Sequence, residues 1–521
     1  MIEETLMERA IAAFDRALQG VGPGPESAVL RDALLGARAQ IERPMTVAVV
    51  GRIKAGKSTM TNALLGAELA PTGPVECTYN VNWFHYAPEP ELAVRYTDGR
   101  IERRDVADLD ALTRRALDAS VSQKGIDYLD VRAPRPILQR FSLVDTPGLD
   151  SAYVADSQNT MNFIGAGTGA ALDITARTQR EARNADAVLY LFSRGLASSG
   201  AAVVEEFQGP AFGRATPLNA IGVLTKVDGN WRDVDDPVAR GVQSAEAWMR
   251  EPAARRLFFA IRPVCAKVAL GAATLEAAEF ETIRVLAARS EETLRTALAN
   301  ARRFATGDDN DIEAPARAAV LERLGQYGVI LAARAVRSGA ATREDLAREL
   351  GHASGMTALS DLIVSHFGSR ALLIKLERSI VELRALALRE RNNNAAAGDS
   401  GRAVDDALDA FWTREHGFAE LAVLRRYYEG ALELEGSEED EMLRVTGESG
   451  TSVAERLGES AGASPQVLLG IASRRIAHWS ARAEFAANKA TRDAAKTIRR
   501  SYERLAALAR ASGDSRVAER V

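Results

Sequence analysis

Apolar residues at helical spacing open the chain. Ile2, Leu6, Ala10, Phe14 and Leu18 fall near one face, which predicts an amphipathic helix over residues 2–19. The GVGPGP run at 20–25 breaks it, and a second helix is expected over about 27–42. These helices precede the α/β pattern, so they are expected to pack elsewhere. The period then changes. Thr46 to Val50 is a short β-branched-rich run that stops at Gly51, and a helical pattern resumes from Thr59 to Leu65. Residues 81–87 and 91–99 read as the two strands of a hairpin, and 125–133 and 140–147 as further strands. The apolar runs at 186–193, 218–225 and 257–266 suit buried parallel strands. With helical segments between them, the pattern predicts a doubly wound α/β fold.

After Lys267 the chain turns rich in Ala, Leu, Arg and Glu. Long helices are expected at 274–303, 313–337, 342–350, 357–391, 402–435 and 464–512. Breaks are expected at 306–311, 392–401 and 435–452. One sheet cannot be covered by so many helices, so an extended helical bundle beside the α/β domain is predicted.

Composition narrows the class. At 521 residues the chain should hold two or more structural units. Charged residues make up 26% and hydrophobic ones 46%, as in ordinary soluble proteins. A net charge of −5 argues against nucleic acid as a partner. Two cysteines, Cys77 and Cys265, are too few for a disulfide framework and fit a reducing cytosol. No basic-then-apolar leader opens the sequence, and no apolar stretch is long enough to span a bilayer. Any membrane role is therefore expected to be peripheral. The five histidines show no metal-ligand spacing.

The candidate chemistry begins where the first strand stops. Gly51-Arg52-Ile53-Lys54-Ala55-Gly56-Lys57-Ser58 fits G-x-x-x-x-G-K-[ST], between a strand and a helix. Its glycines let the backbone from Gly51 and Arg52 through Ala55, Gly56 and Thr59 close around a phosphate chain, aided by the helix N-terminus. Lys57 is expected at the β- and γ-phosphates, and the Ser58 hydroxyl on Mg²⁺. Asp145-Thr146-Pro147-Gly148 ends an apolar strand and fits D-x-x-G. Asp145 is expected to hold Mg²⁺ through water, and the Gly148 N–H to sense the γ-phosphate. Thr225-Lys226-Val227-Asp228 fits [NT]-K-x-D. A carboxylate at Asp228 accepts from guanine N1–H and the N2 amino group, a donor pair that adenine lacks. The Lys226 stem can lie against the base. Cys265-Ala266-Lys267 fits the S-A-K position that contacts guanine O6, with a backbone N–H doing most of that work. Thr78 is the candidate switch threonine for Mg²⁺, with Thr72 as its competitor. The ligands implied are GTP or GDP with Mg²⁺.

The order P-loop, Thr78, DTPG, TKVD, CAK is that of a GTPase, but nearly a hundred residues separate the P-loop from DTPG. That spacing resembles the dynamin superfamily. GRIKAGKST followed by NALLG and P-T-G-x-x-x-C-T is similar to bacterial dynamin-like proteins. The stretches 323–336 and 354–375 resemble the actinobacterial ones, including the isoniazid-inducible type. The resemblance implies a P-loop GTPase domain with a helical neck and trunk. It also implies nucleotide-dependent pairing of GTPase domains and peripheral binding at the inner face of the cell membrane. A second dynamin-like paralogue is a further partner it admits. On this reading residues 1–44 pack into the helical bundle. Residues 45–368 form the GTPase domain, with a helical insertion at about 270–353, and 369–521 form the stalk.

One departure stands out. Eukaryotic dynamins carry a Gln-Ser pair in the P-loop to orient water and hold a compensating cation; here the residues are Ile53 and Lys54. Lys54 can supply the positive charge itself once two domains pair, or it can simply be a solvated lysine. No general base can be named, so turnover is expected to rest on positioning and charge.

Ala463 to Trp479 reads either as a membrane-dipping stalk loop, with Trp479 as an interfacial aromatic, or as the start of a long core helix. From Arg474 to Arg510 there are ten Lys/Arg against three Asp/Glu. That face is either lipid-directed or paired with the acidic 435–459 segment. The competing function is a regulatory or assembly GTPase acting on protein or RNA, which usually adds a basic domain not visible here.

Overall fold

The computed structural model describes residues 5–52, 54–72, 81–113, 126–146, 185–193, 217–309, 311–393, 398–448 and 450–518. They form two compact units, Thr46–Leu362 and a second made of Met1–Met45 with Ile363–Val521.

The chain begins with α1 (Leu6–Gln19) and α2 (Ala28–Glu42). Thr5 and Glu8 form a reciprocal capping box at the start of α1. The buried face of α1 is Ala10, Ala13, Phe14 and Ala17. The three alanines let α1 sit close to its neighbour in the second unit, described below.

The first unit is built on a nine-stranded sheet in the order β4-β3-β5-β2-β6-β1-β7-β8-β9. Its elements in sequence are β1 (Met45–Gly51), α3 (Lys57–Leu65), β2 (Val81–Tyr86), β3 (Glu91–Tyr96), β4 (Ile101–Arg104), α4 (Leu109–Thr113), β5 (Ile126–Ala133), β6 (Phe141–Asp145), β7 (Ala187–Phe192) and β8 (Ala220–Thr225). Then follow α5 (Pro237–Met249), α6 (Pro252–Leu257), β9 (Ile261–Val264) and α7 (Ala266–Ala273). β7 and β8 are buried at every residue, which is why they read as unbroken apolar runs. β1, β7, β8 and β9 run parallel to one another.

The other half of the sheet departs from a doubly wound parallel order. β2 is antiparallel to β6, and β3 is antiparallel to both β4 and β5. The expected hairpin of 81–87 with 91–99 does not form. β5 lies between those two strands. The linker Ala87-Pro88-Glu89-Pro90 favours extended backbone and offers few donors for a tight turn. The hairpin is instead β3–β4, closed through Gly99 at φ 87°. The charged β4 is the exposed edge.

The unit continues as helices: α8 (Ala277–Ala287), α9 (Glu291–Leu298), α10 (Ala301–Thr306), α11 (Ala314–Arg337), α12 (Arg343–Ala353) and α13 (Met356–Leu362). The expected helix 274–303 is thus three. Ser290 caps α9 through the Thr293 N–H, and Asn300 caps α10 through the Arg303 N–H. α11 bends at Gly325, whose φ of 71° and ψ of 173° suit only glycine. Glycine is also needed at 271, where a Cβ would stand 2.7 Å from the Arg323 carbonyl oxygen. α7 and α11 therefore pack closely.

The second unit is helical. A π-turn (Ile363–Phe367) leads into α14 (Gly368–Asn393), so the expected helix 357–391 is divided. After it come α15 (Gly398–Arg414), α16 (His416–Tyr428), α17 (Gly436–Val445), α18 (Val453–Leu457), α19 (Pro465–Glu484) and α20 (Lys489–Ala518). α1 packs on α15, and α2 packs on α14. Arg9 grips Glu415 at 2.7 and 3.1 Å, and a Cβ at Gly20 would meet Ala403 at 2.5 Å.

Four expectations are corrected here. The expected helix 402–435 ends at Tyr428, after a break between α15 and α16. The stretch 435–452 is not only a break: Glu435 and Glu438 form a capping box that starts α17. Acidic residues favour a helix N-terminus, so the EGSEED run begins a helix rather than ending one. The expected helix 464–512 is a pair, α19 and α20, turning at Phe485 to Asn488. Trp479 is not an interfacial aromatic. It is fully buried, and its indole Nε1 donates to Glu441 at 2.5 Å. Truncating it would cost about 3–5 kcal/mol. Arg475 and Arg482 of the basic helix pair with Glu441 and Glu438 of α17. That part of the basic face is therefore neutralised within the bundle.

Candidate nucleotide site

The site lies where β1, β6, β8 and β9 end, the usual ligand crevice of an α/β sheet. At the end of β1, a Cβ on Gly51 would meet the Leu191 carbonyl oxygen at 2.5 Å, so only glycine lets the strand reach the loop beside β7. Gly56 caps α3 at φ 93°. Among the described residues, two non-glycine residues hold positive φ: Lys54 at 63° and Lys226 at 58°. Each costs about 1–3 kcal/mol, and both lie in the loops that sequence assigned to nucleotide.

Four side chains knit the strand ends and the phosphate loop together. Lys57 is buried and donates through Nζ to the Arg52 carbonyl oxygen at 3.0 Å. The Ser58 hydroxyl donates to Asp145 Oδ2 at 2.9 Å, joining the start of α3 to the end of β6. Thr146 Oγ1 donates to the Val49 carbonyl oxygen at 2.8 Å. Thr225 Oγ1 donates to Ala55 at 2.7 Å and to Phe192 at 3.1 Å, both backbone carbonyls. Thr225 therefore faces the phosphate loop.

Asp228 stands in a 3₁₀ turn, Val227–Asn230, just after β8. Burial raises its pKa, and its own backbone N–H, Lys267 and Lys226 act against that rise. A lysine ammonium from each of two loops thus favours the ionised carboxylate that a guanine edge requires. Cys265 is buried, and burial pushes its thiol well above the usual range, with the Asp228 charge adding to the effect. Its backbone N–H is given to the Ser354 carbonyl oxygen at 2.9 Å, so it is not offered to a base. The donors left by helix geometry are those of Ala266 and Lys267, which open α7. Ile53, Thr78 and Gly148 lie outside the described residues. Thr72 is exposed.

Sequence reasoning missed a group behind this site. Arg295 donates through Nη1 to the Trp231 carbonyl oxygen at 3.1 Å and through Nη2 to Asp235 at 2.7 Å. Arg334 donates to the same Asp235 oxygen at 2.6 Å, and Glu291 accepts from both arginines. No motif signals these residues, because they are brought together across 60 and 99 positions.

The dynamin family profile matches residues 47–205. The isoniazid-induced protein IniC of Mycobacterium tuberculosis is 30% identical over 454 residues, spanning 85% of this chain and 86% of that protein. Dynamin-like protein 2 of Campylobacter jejuni is 32% identical over 111 residues, 21% of this chain and 18% of its own. One similar solved structure is an oligomerised bacterial dynamin pair, described as providing a mechanism for long-range sensing and tethering of membranes. It is 13% identical, covers 100% of this chain and 93% of its own, and has a TM-score of 0.33. With the phosphate-loop geometry, the family match and the long relative together, the chain belongs to the bacterial dynamin-like branch of the dynamin family of GTPases.

Proposed function

We propose that this GTPase binds GTP with Mg²⁺ at the ends of β1, β6, β8 and β9, turns it over when two GTPase domains pair, and works on a membrane surface. The observation that carries the nucleotide reading is the Ser58–Asp145 hydrogen bond. A hydroxyl and a carboxylate held side by side are the oxygen donors that Mg²⁺ shares with phosphates. The ion would neutralise phosphate charge there. Among the described residues no group of three or more His, Cys, Asp or Glu could hold a metal ion.

The chain's own residues take the remaining roles. Lys57, released from the Arg52 carbonyl, reaches the β- and γ-phosphates. Asp228 accepts from guanine, and Lys226 and Lys267 flank the base. Lys54, exposed and held at positive φ, projects charge beside the γ-phosphate; Thr78 and Gly148 complete the γ-phosphate contacts.

The membrane reading rests on the family and on one exposed turn. Among the described residues no helix is long and apolar enough to cross a membrane. Between α19 and α20, however, Phe485 is 82% exposed. Arg492, Lys496, Arg500 and Arg504 follow at four-residue intervals, all exposed. An aromatic tip followed by a basic row suits an anionic bilayer surface.

Two measurements test the proposal together: turnover per molecule against protein concentration, and sedimentation with anionic liposomes. The expected outcome is a steep rise of turnover with concentration and co-sedimentation. A flat rate with no lipid binding would favour the assembly-GTPase reading instead.

A further inference from the structure

The loop that follows Asp228 is held from outside the sheet. From Asp228 the chain runs through Trp231 to Asp235, and then to Asp236, which caps α5 by accepting from the Val238 and Ala239 N–H groups. The Trp231 ring is buried in the core of the first unit, and the Trp231 backbone N–H donates to the Asp228 carbonyl oxygen at 3.2 Å. The carbonyl of Trp231 and the carboxylate of Asp235 are both taken by Arg295 of α9. Arg334 of α11 takes the same Asp235 oxygen. Glu291, at the start of α9, joins both arginines from the far side. The four side chains close a ring of alternating charge: Arg295, Asp235, Arg334, Glu291 and back to Arg295. Arg232 adds a tie of its own, donating to the Ala299 carbonyl oxygen at 2.5 Å.

The Asp235 side of this ring is poorly placed to stabilise the fold. Asp235 is 78% exposed, where ion pairs contribute little against water and salt. It is well placed to fix geometry. A guanidinium presents its donors in a rigid planar fork, and Arg295 uses three nitrogens on three separate acceptors. Two of those acceptors lie on the guanine-reading loop, three and seven residues beyond Asp228. α11 buttresses the second base-reading segment as well. Its break at Gly325 lies against the Lys267 stem, with the Lys267 Cδ 3.6 Å from where a Cβ would stand.

We propose that α9 and α11 form a clamp on the guanine-reading loop, with Arg295 and Arg334 as positioning residues for base selectivity, acting through Asp235 on the orientation of the Asp228 carboxylate. The proposal rests on the reading of Asp228 as the guanine acceptor. Selectivity is sensitive to this because the two guanine donors must meet two oxygens of one carboxylate; a tilted carboxylate keeps N1–H and loses the amino group. Inosine nucleotides lack that amino group, so the ratio of GDP to IDP affinity reads the second hydrogen bond directly.

The test uses the full chain with fluorescent GDP and IDP. Asp235→Ala is the first variant, because its exposure leaves the fold intact; thermal unfolding checks this. The expected result is a GDP-over-IDP ratio lowered by about 5–10-fold with little change in unfolding temperature. Arg334→Ala should lower the ratio similarly and add nothing in the Asp235→Ala background, since both remove one link of the same ring. Raising salt should bring the wild-type ratio toward that of the variants. A wild-type ratio in Asp235→Ala, or additive losses in the double variant, overturns the clamp. Asp228→Ala separates the two layers: it should bring the ratio near one. If it does not, the reading of Asp228 fails.

Discussion

The Thr225 hydroxyl donates to the Ala55 carbonyl oxygen at 2.7 Å, so the residue that opens the guanine motif is bonded to the phosphate loop. The same hydroxyl reaches the Phe192 carbonyl at the end of β7. A single buried oxygen thus joins two strand ends and the phosphate loop.

Thr225→Val is predicted to destabilise the nucleotide-free protein. It keeps the shape and removes the donor, leaving two buried carbonyls less satisfied at a cost of about 1–3 kcal/mol. Thr225→Ser should restore most of the loss. If the hydroxyl served the base rather than the loop, Thr225→Val would alter GDP-over-IDP selectivity with no change in nucleotide-free stability. Denaturant unfolding of both variants decides between these.

The candidate phosphate and base loops are legible in the sequence because the residues that would form each are contiguous. Glycine where a Cβ would strike Leu191, or lysine after glycine at a helix start, leaves a spacing that any reader can find. The edge of the sheet was not legible, since β5 enters between β2 and β3 from thirty residues downstream, and only pairing reveals it. Thr225 stands in a base-reading motif, but no spacing signals that its hydroxyl bonds the Ala55 and Phe192 carbonyls. Trp479 and Phe485 show the same limit. Both are aromatic residues three positions from Arg482, and the bundle buries one while leaving the other in solvent.

Lys54 is predicted to act on turnover rather than on binding. Its positive φ projects an exposed ammonium from the loop tip. Lys54→Ala should leave the affinity for GDP within about threefold and lower concentration-stimulated GTP turnover by about 10²-fold, the scale of one lost charge at a phosphoryl transition state. Stimulated turnover equal to wild type would reduce Lys54 to a solvated side chain. Lys54→Arg should retain much of the rate, since charge rather than shape is required.

Phe485 is predicted to set membrane affinity. Transferring a phenyl ring from water into a bilayer interface contributes about 1.5–3 kcal/mol, and a charge in its place reverses the sign. Phe485→Asp should lower co-sedimentation with anionic liposomes by at least tenfold without lowering the unfolding temperature, because the ring makes little contact with the bundle. Replacing Lys496, Arg500 and Arg504 with Glu should weaken binding more at low salt than at high salt. Unchanged sedimentation of both variants would place the lipid contact elsewhere.

The Glu291 carboxyl gives the ring an acid limit. Hydrogen bonds from Arg334, with a further bond from Arg295, hold its pKa down to about 2 from an ordinary value of 4.5. The folded value is the lower one, so its contribution to stability is full above about pH 4.5 and is lost as pH falls toward 2. The side chain is 30% exposed, so solvent screening reduces that contribution to about 1 kcal/mol. Glu291→Gln should therefore unfold at a lower temperature than wild type at pH 7, and the gap should narrow steadily below about pH 4.5. Thermal unfolding of the two proteins from pH 7 down to about pH 2.5 provides the check, and a gap that widened toward acid would mean that Glu291 is held protonated rather than ionised.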